Sequence, residues 1–225
     1  MANVVVVCGG TGTGKSTAIK TLNPDETFII NCLDKPLPFK GSSNIYSSEK
    51  KNIFGTDNWK DVLDLLTKIS TQKHIKHVMI DDIGFIATKE FFARANEIGY
   101  AKFTDIGVHM QSVINKCKEL PKHMTVFLNF HEDDDITDKI KVGKKVKLIG
   151  SLLEDKYNPL AIVTVCLFTD VTYDKDGKAS YSFLTQRTKI AGQVIPAKSP
   201  NGMFEELRIP NDLNLVVQKL TEYYN

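Results

Sequence analysis

Disulfide chemistry has almost nothing to work with in this chain. Only four cysteines occur in 225 residues, Cys8, Cys32, Cys117 and Cys166, and none has C-x-x-C spacing. That excludes a disulfide-built scaffold and a paired-cysteine metal site. Three of the four sit in apolar, strand-like runs, as buried thiols in a reducing compartment do. No apolar run approaches the ~20 residues of a membrane span. An excess of one charge is also missing: 29 Lys and Arg against 27 Asp and Glu leave a net charge of +2. There is thus no global polycationic signature of nucleic-acid binding. Strand-like sequence begins within three residues of Met1, leaving no room for a signal peptide. A cytoplasmic, globular protein without membrane association is expected, and the length suits one α/β domain over residues 1–225.

What is present is a phosphate-binding pattern. The apolar run Asn3–Cys8 leads into Gly9-Gly10-Thr11-Gly12-Thr13-Gly14-Lys15-Ser16, a full match to G-x-x-x-x-G-K-[ST]. A strand before it and helix-like sequence over Thr17–Leu22 supply the context the motif needs. Glycines let the backbone curl so that its N–H groups face phosphate oxygens, from Gly9 through Thr17. Lys15 reaches the β- and γ-phosphates, and the Ser16 hydroxyl is a Mg²⁺ ligand. ATP and Mg²⁺ are the expected ligands.

A second apolar run, His77-Val78-Met79-Ile80, ends in Asp81-Asp82. Such a site needs an acid at the end of a neighbouring parallel strand to hold the magnesium shell, and Asp81 fits that role. Asp82 is a candidate to orient or deprotonate the attacking water.

The rest reads as strands alternating with helices. Strands are expected over Thr27–Cys32, His77–Asp81 and Thr125–Phe130, and helices over Asp57–Ile69, Lys89–Glu97 and Phe103–Leu120. Prolines bar regular structure from Lys35-Pro36-Leu37-Pro38-Phe39, and residues 40–56 read as loop. This rhythm implies right-handed crossovers and a mostly parallel central sheet flanked by helices. Further on, Ile162–Phe168 and Ala179–Gln186 flank the hairpin turn Asp174-Lys175-Asp176-Gly177, so antiparallel strands extend the C-terminal edge. A last helix spans Leu213–Tyr224, capped by Asn211 or Asp212.

Lys139, Lys141, Lys144, Lys145 and Lys147 alternate with valine and isoleucine just after Asp133-Asp134-Asp135. That alternation suits one or two short strands with a solvated face neutralised by those aspartates, and the run also reads as a loop making sequence-independent contacts to single-stranded DNA. Tyr157 and Tyr173 are candidate stacking platforms.

Taken together, Gly9–Ser16, Lys35–Phe39, Ile80-Asp81-Asp82, Val126–Phe130 with His131-Glu132, Leu184-Thr185-Gln186, Ala197–Phe204 and Ile209–Leu213 resemble the phage-encoded AAA-type ATP-binding proteins with a RecA-like core. That group includes single-strand annealing and recombination proteins, and the resemblance covers nearly the whole chain. It implies a RecA-like P-loop NTPase fold. It also implies ATP hydrolysis to ADP in a phage DNA recombination or replication module, within host cytoplasm, by a homo-oligomeric ring or filament. RecA-like ATPases place a catalytic glutamate just after the second core strand. Here that stretch reads Asn31-Cys32-Leu33-Asp34, so Asp34 rivals Asp82 for the water. His131 stands where the group carries a polar γ-phosphate sensor, or it merely caps a strand end. Lys198 is the candidate cation reaching a neighbour's γ-phosphate, with Arg187 behind it, or else a solvated loop lysine. Two other classes share the phosphate loop: a small-molecule kinase, and a nucleotide-switched interaction module with little turnover.

Overall fold

A computed structural model describes residues 1–148 and 158–224. Strand β1 (Asn3–Gly9) sits at the centre. Its neighbours are β5 (Thr125–Thr137) on one side and β7 (Val165–Tyr173) on the other, both parallel to it. Beyond β5 come β4 (His77–Asp81), β2 (Thr27–Asn31) and β3 (Ile53–Gly55), also parallel. Beyond β7 the sheet turns antiparallel, through β8 (Ala179–Leu184) and β11 (Arg208–Pro210). The order is therefore β11-β8-β7-β1-β5-β4-β2-β3, a mostly parallel α/β sheet with an antiparallel C-terminal edge.

Strand alternation sorts the core into two layers. Val4, Val6 and Cys8 of β1 face one side with Val78, Ile80, Val126, Leu128 and Phe130. Helices α2 (Trp59–Ile69), α3 (Gly84–Ala93) and α4 (Ala101–Glu119) cover that side through Val62, Leu66, Ile86, Ile106, Met110, Val113 and Ile114. Val5 and Val7 face the other side with Ile29, Met79, Phe127 and Leu167. There they meet Ala18, Ile19 and helix α6 (Leu213–Tyr224), which contributes Leu213, Val216 and Leu220. Each fully buried valine or isoleucine contributes about 1.5–3 kcal/mol, and a sheet covered on both faces explains why β1 reads as an unbroken apolar run. All four cysteines are free and buried.

Several boundaries differ from the expectations. The segment after the phosphate loop is a short 3-10 helix, Ser16–Thr21, not the start of a longer α-helix. Pro24 biases Asn23 away from helical geometry, and Asn23 is extended. Residues 40–56 hold a one-turn helix, α1 (Ser42–Ile45), besides β3. Helix α3 begins five residues before Lys89 and stops short of Glu97. Its end is fixed by Lys102, whose Nζ donates to the carbonyls of Arg94, Ala95 and Glu97, a cation closing the negative end of a helix. Strand β5 does not stop at Phe130; it runs on through the aspartates and pairs with β6 (Ile140–Val146). The short β9 (Thr188–Ile190) and β10 (Gln193–Ile195) join β6 at its far edge, and α5 (Pro159–Ile162) precedes β7. At α6 the Asp212 carboxylate accepts from the Leu215 N–H, so Asp212 is the cap. No helix among the described residues is long and apolar enough to cross a membrane.

Candidate phosphate-binding site

The loop after β1, the end of β4 and the His131 position midway along β5 meet in one cavity of about 660 Å³. Its lining runs from Thr11 to Thr17 and adds Lys20, Lys35, Pro36, Pro38, Asp82, His131, Tyr181 and Asn211. The volume falls within the ~300–1,000 Å³ usual for ligand pockets.

The glycines in the loop do different jobs. Gly12 and Gly14 have φ of +76° and +98°, the left-handed region that side chains resist. Gly9 is there for closeness instead. A Cβ at Gly9 would lie 1.7 Å from Thr169 Oγ1, so β7 packs directly on the loop's first residue. Thr169 then donates to Thr13 Oγ1 at 2.6 Å, and Thr13 is also tied to the Gly10 carbonyl at 2.8 Å.

Lys15 is only 5% exposed. Its Nζ donates to the carbonyls of Gly9 at 2.9 Å and Gly10 at 2.7 Å. Burial lowers its pKa from the ordinary lysine value, while the nearby Asp82 and Asp81 carboxylates pull the other way. The ammonium therefore sits curled in its own loop, on the wall of the cavity.

Asp81 is fully buried at the end of β4. Its Oδ1 accepts from Ser16 Oγ at 2.8 Å and from Asn129 Nδ2 at 2.7 Å, and its Oδ2 is buried with no partner. Burial pushes the Asp81 carboxyl above its usual range, and the Asp82 carboxylate beside it adds to the push. A hydroxyl and a carboxylate side by side, with one carboxylate oxygen unsatisfied, fit a magnesium ion that takes its remaining ligands from phosphate and water. Among the described residues no cluster of three or more His, Cys, Asp or Glu side chains exists to hold a metal alone.

An ionised Asp81 thus works against the fold. Because folding raises its pKa, this group's destabilising effect grows as pH rises above the carboxylate range. Asp81→Asn keeps an acceptor for Ser16 and Asn129 but removes the charge. It is expected to raise the melting temperature of the nucleotide-free protein by about 2–4 °C if the gain is about 1 kcal/mol, and to lose magnesium-dependent turnover. Thermal melts and turnover of the same preparation check both halves. A lower melting temperature would show that the carboxylate stabilises the fold.

Asp82 follows with φ +57°, a left-handed backbone that aspartate tolerates better than most residues. It is 2% exposed and held at both oxygens. Lys35 Nζ pairs with Oδ2, and His131 Nε2 lies 3.0 Å from Oδ1. Burial alone would raise the Asp82 pKa. The hydrogen bonds and charges of His131 and Lys35 outweigh it and hold the carboxyl down at about 2.

The other candidates fall elsewhere. Asp34 is exposed, with φ +48°, and its carboxylate packs against Gly55. It does not line the cavity. Lys198 is half-buried; its backbone exchanges hydrogen bonds with Cys166 of β7, both 2.8 Å, and it does not line the cavity either. Arg187 is exposed beyond the end of β8. The lysine run lies on the β5–β6 hairpin, where Asp134 stands opposite Lys144. Lys144 pairs with Glu132 and Asp134, and Lys141 pairs with Asp134. Lys139 has φ +65° at the hairpin turn, and Lys145 stands opposite Asp133. Lys147 donates its N–H to the His131 carbonyl and lines a second cavity of about 370 Å³ with Thr11, Phe85, Thr88 and His131. Tyr173 is 70% exposed at the end of β7, and Tyr157 lies outside the described residues.

Sequence reasoning missed Lys35, Asn129, Thr169, Tyr181 and Asn211. Asn129 carried a signal, being the one amide inside the apolar run Thr125–Phe130. Tyr181 and Asn211 carried none, since the β8–β11 pairing delivers them from the far edge of the sheet. The motifs Leu184–Gln186 and Ala197–Phe204 mostly hold that edge together. Thr185 Oγ1 donates to the Glu206 carbonyl, Gln186 Nε2 to Ser199 Oγ, and Ala197, Met203 and Phe204 are buried.

A scan against protein-family models matched none, and a search of the curated proteins returned no match to this chain.

Proposed function

We propose that this chain binds ATP with Mg²⁺ at the Gly9–Ser16 loop and hydrolyses it to ADP and phosphate. The observation that carries the reading is the convergence on one cavity of the loop, Ser16 and the Asp82–His131 pair, with Asp81 buried directly behind Ser16 and bonded to its hydroxyl. Backbone N–H groups of the loop receive the phosphates, and Lys15 exchanges its loop carbonyls for β- and γ-phosphate oxygens. Ser16 and Asp81 would hold the Mg²⁺, which supplies positive charge against the charge on the phosphate oxygens. In hydrolysis a water oxygen attacks the γ-phosphorus, and the bond to the β–γ bridging oxygen breaks. ADP leaves with the electron pair, and Asp82 takes the proton of the water. Asp82 needs one oxygen free for this, so one of its two partners must move. His131, where β5 passes from pairing with β1 to pairing with β6, is placed to sense the γ-phosphate.

The strand order supports a RecA-like core. The strand carrying His131 lies between the strand bearing the loop and the strand bearing Asp81. A role in phage DNA recombination or replication, and assembly into a ring or filament, rest on the resemblance in the sequence. DNA contact through the hairpin requires the Lys141 and Lys144 pairs with Asp134 and Glu132 to open.

The test is phosphate release with and without single-stranded DNA, and with nucleoside monophosphates as alternative acceptors. Turnover to free phosphate that rises with single-stranded DNA is the expected result. Phosphate appearing on a monophosphate would make the protein a kinase. Binding without turnover under every condition would make it a nucleotide-switched module.

A further inference from the structure

The Lys35–Phe39 segment has no regular structure, yet it is firmly rooted. Leu37 is buried in the core, and its carbonyl accepts from Ser42 Oγ and the Phe39 N–H. Asn31 Nδ2 donates to the Lys35 carbonyl at 2.7 Å. Asn31 is the last residue of β2 and sits in register with Asp81. Pro36 and Pro38 limit the backbone between these anchors and line the cavity. This construction presents one charged side chain, Lys35, to the phosphate end of the site.

The charges there are lopsided. Among the described residues, the lysines on the cavity wall are Lys15, Lys20 and Lys35, and the only carboxylate is Asp82. Without nucleotide, Lys35 pairs with that carboxylate, while its own side chain stays 45% exposed. A half-exposed lysine on a flexible four-carbon stem can change partners without moving its backbone. A triphosphate entering this cavity brings several negative charges to Lys15, a residue whose charge already feels that of Lys35.

We propose that Lys35 is a ligand of the γ-phosphate supplied by the same chain, parked on Asp82 until a triphosphate draws it away. The inference rests on the ATP reading of the site. The transfer does two things at once. It places a cation on the phosphoryl group that is to leave ADP, and it frees Asp82 Oδ2 for the water while His131 keeps Oδ1. A diphosphate leaves Lys35 on Asp82. The site thereby tells ATP from ADP within one chain, the task otherwise assigned to a cation from a neighbouring subunit.

The experiment compares affinities for a non-hydrolysable ATP analogue and for ADP, with Mg²⁺, in wild type, Lys35→Ala, Lys35→Met and Lys35→Arg. Removing Lys35 is expected to weaken the triphosphate by about 10- to 100-fold, the worth of one charge-assisted contact. ADP affinity should stay within about twofold, and kcat should fall by about 10²- to 10³-fold. Lys35→Arg should restore much of the triphosphate preference. Equal weakening of both nucleotides would make Lys35 a structural residue and overturn the proposal, as would unchanged affinity for both. Lys35→Met keeps the apolar stem, so it reads the same contrast should Lys35→Ala fold poorly. Wild-type protein that binds neither nucleotide would instead refute the ATP reading, and this inference with it.

Discussion

Lys15→Ala is expected to lose ATP binding by at least about 100-fold, since charge-assisted contacts to two phosphates disappear together. Its melting temperature without nucleotide should stay within a few degrees of wild type. Burial weighs against the Lys15 charge, and its ammonium donates to the Gly9 and Gly10 carbonyls of the loop. The loop has other anchors in Thr13, Thr169 and the Ala18 N–H to the Gly14 carbonyl. Titration calorimetry with a non-hydrolysable analogue, beside a thermal melt, separates the two effects. Unchanged affinity would refute the loop as the phosphate site. A large drop in melting temperature would instead make Lys15 a structural cation.

Asp82→Asn should bind ATP and fail to turn it over. Loss of a general base commonly costs about 10²- to 10⁴-fold in rate. Asparagine is the right substitution because it tolerates the left-handed backbone at this position, φ +57°; alanine would add strain. Asp34→Asn is the control, and near wild-type turnover is expected from it. The Asp34 carboxylate packs on Gly55 and does not line the cavity, whereas Asp82 is paired with His131 inside it. Turnover lost in Asp34→Asn and kept in Asp82→Asn would move the water-handling role to Asp34.

The features legible in the sequence were the local ones. Strand β1 and its loop are contiguous, so the apolar run and the glycine spacing announced both. Asp81 was readable because its run is fully buried and ends abruptly in charge. The C-terminal hairpin was readable from Asp174–Gly177. What failed to show were contacts between distant segments. Lys35 and Asp82 are 47 positions apart, and nothing in either stretch marks the pairing. The expected strand stopped at Phe130 because the aspartates that follow are poor strand formers. Pairing with β6 overrides that preference, and the cross-strand ion pairs of Lys141 and Lys144 with Asp134 come with it. For the lysine run the sequence offered both a DNA contact and a face neutralised by the neighbouring aspartates, and the pairs of Lys141 and Lys144 with Asp134 match the second. The short β9, β10 and β11 have three residues each, too few for any period to appear.

The central claim is that the cavity at the end of β1 takes a nucleoside triphosphate with Mg²⁺. Hydrogen exchange of the wild-type protein, with and without a non-hydrolysable ATP analogue and Mg²⁺, tests it most directly. The predicted result is saturable one-to-one binding, with protection concentrated at Gly10–Thr17, at the Lys35–Pro38 segment and around His131. Absence of binding at millimolar analogue, or protection that leaves Gly10–Thr17 untouched, would contradict it.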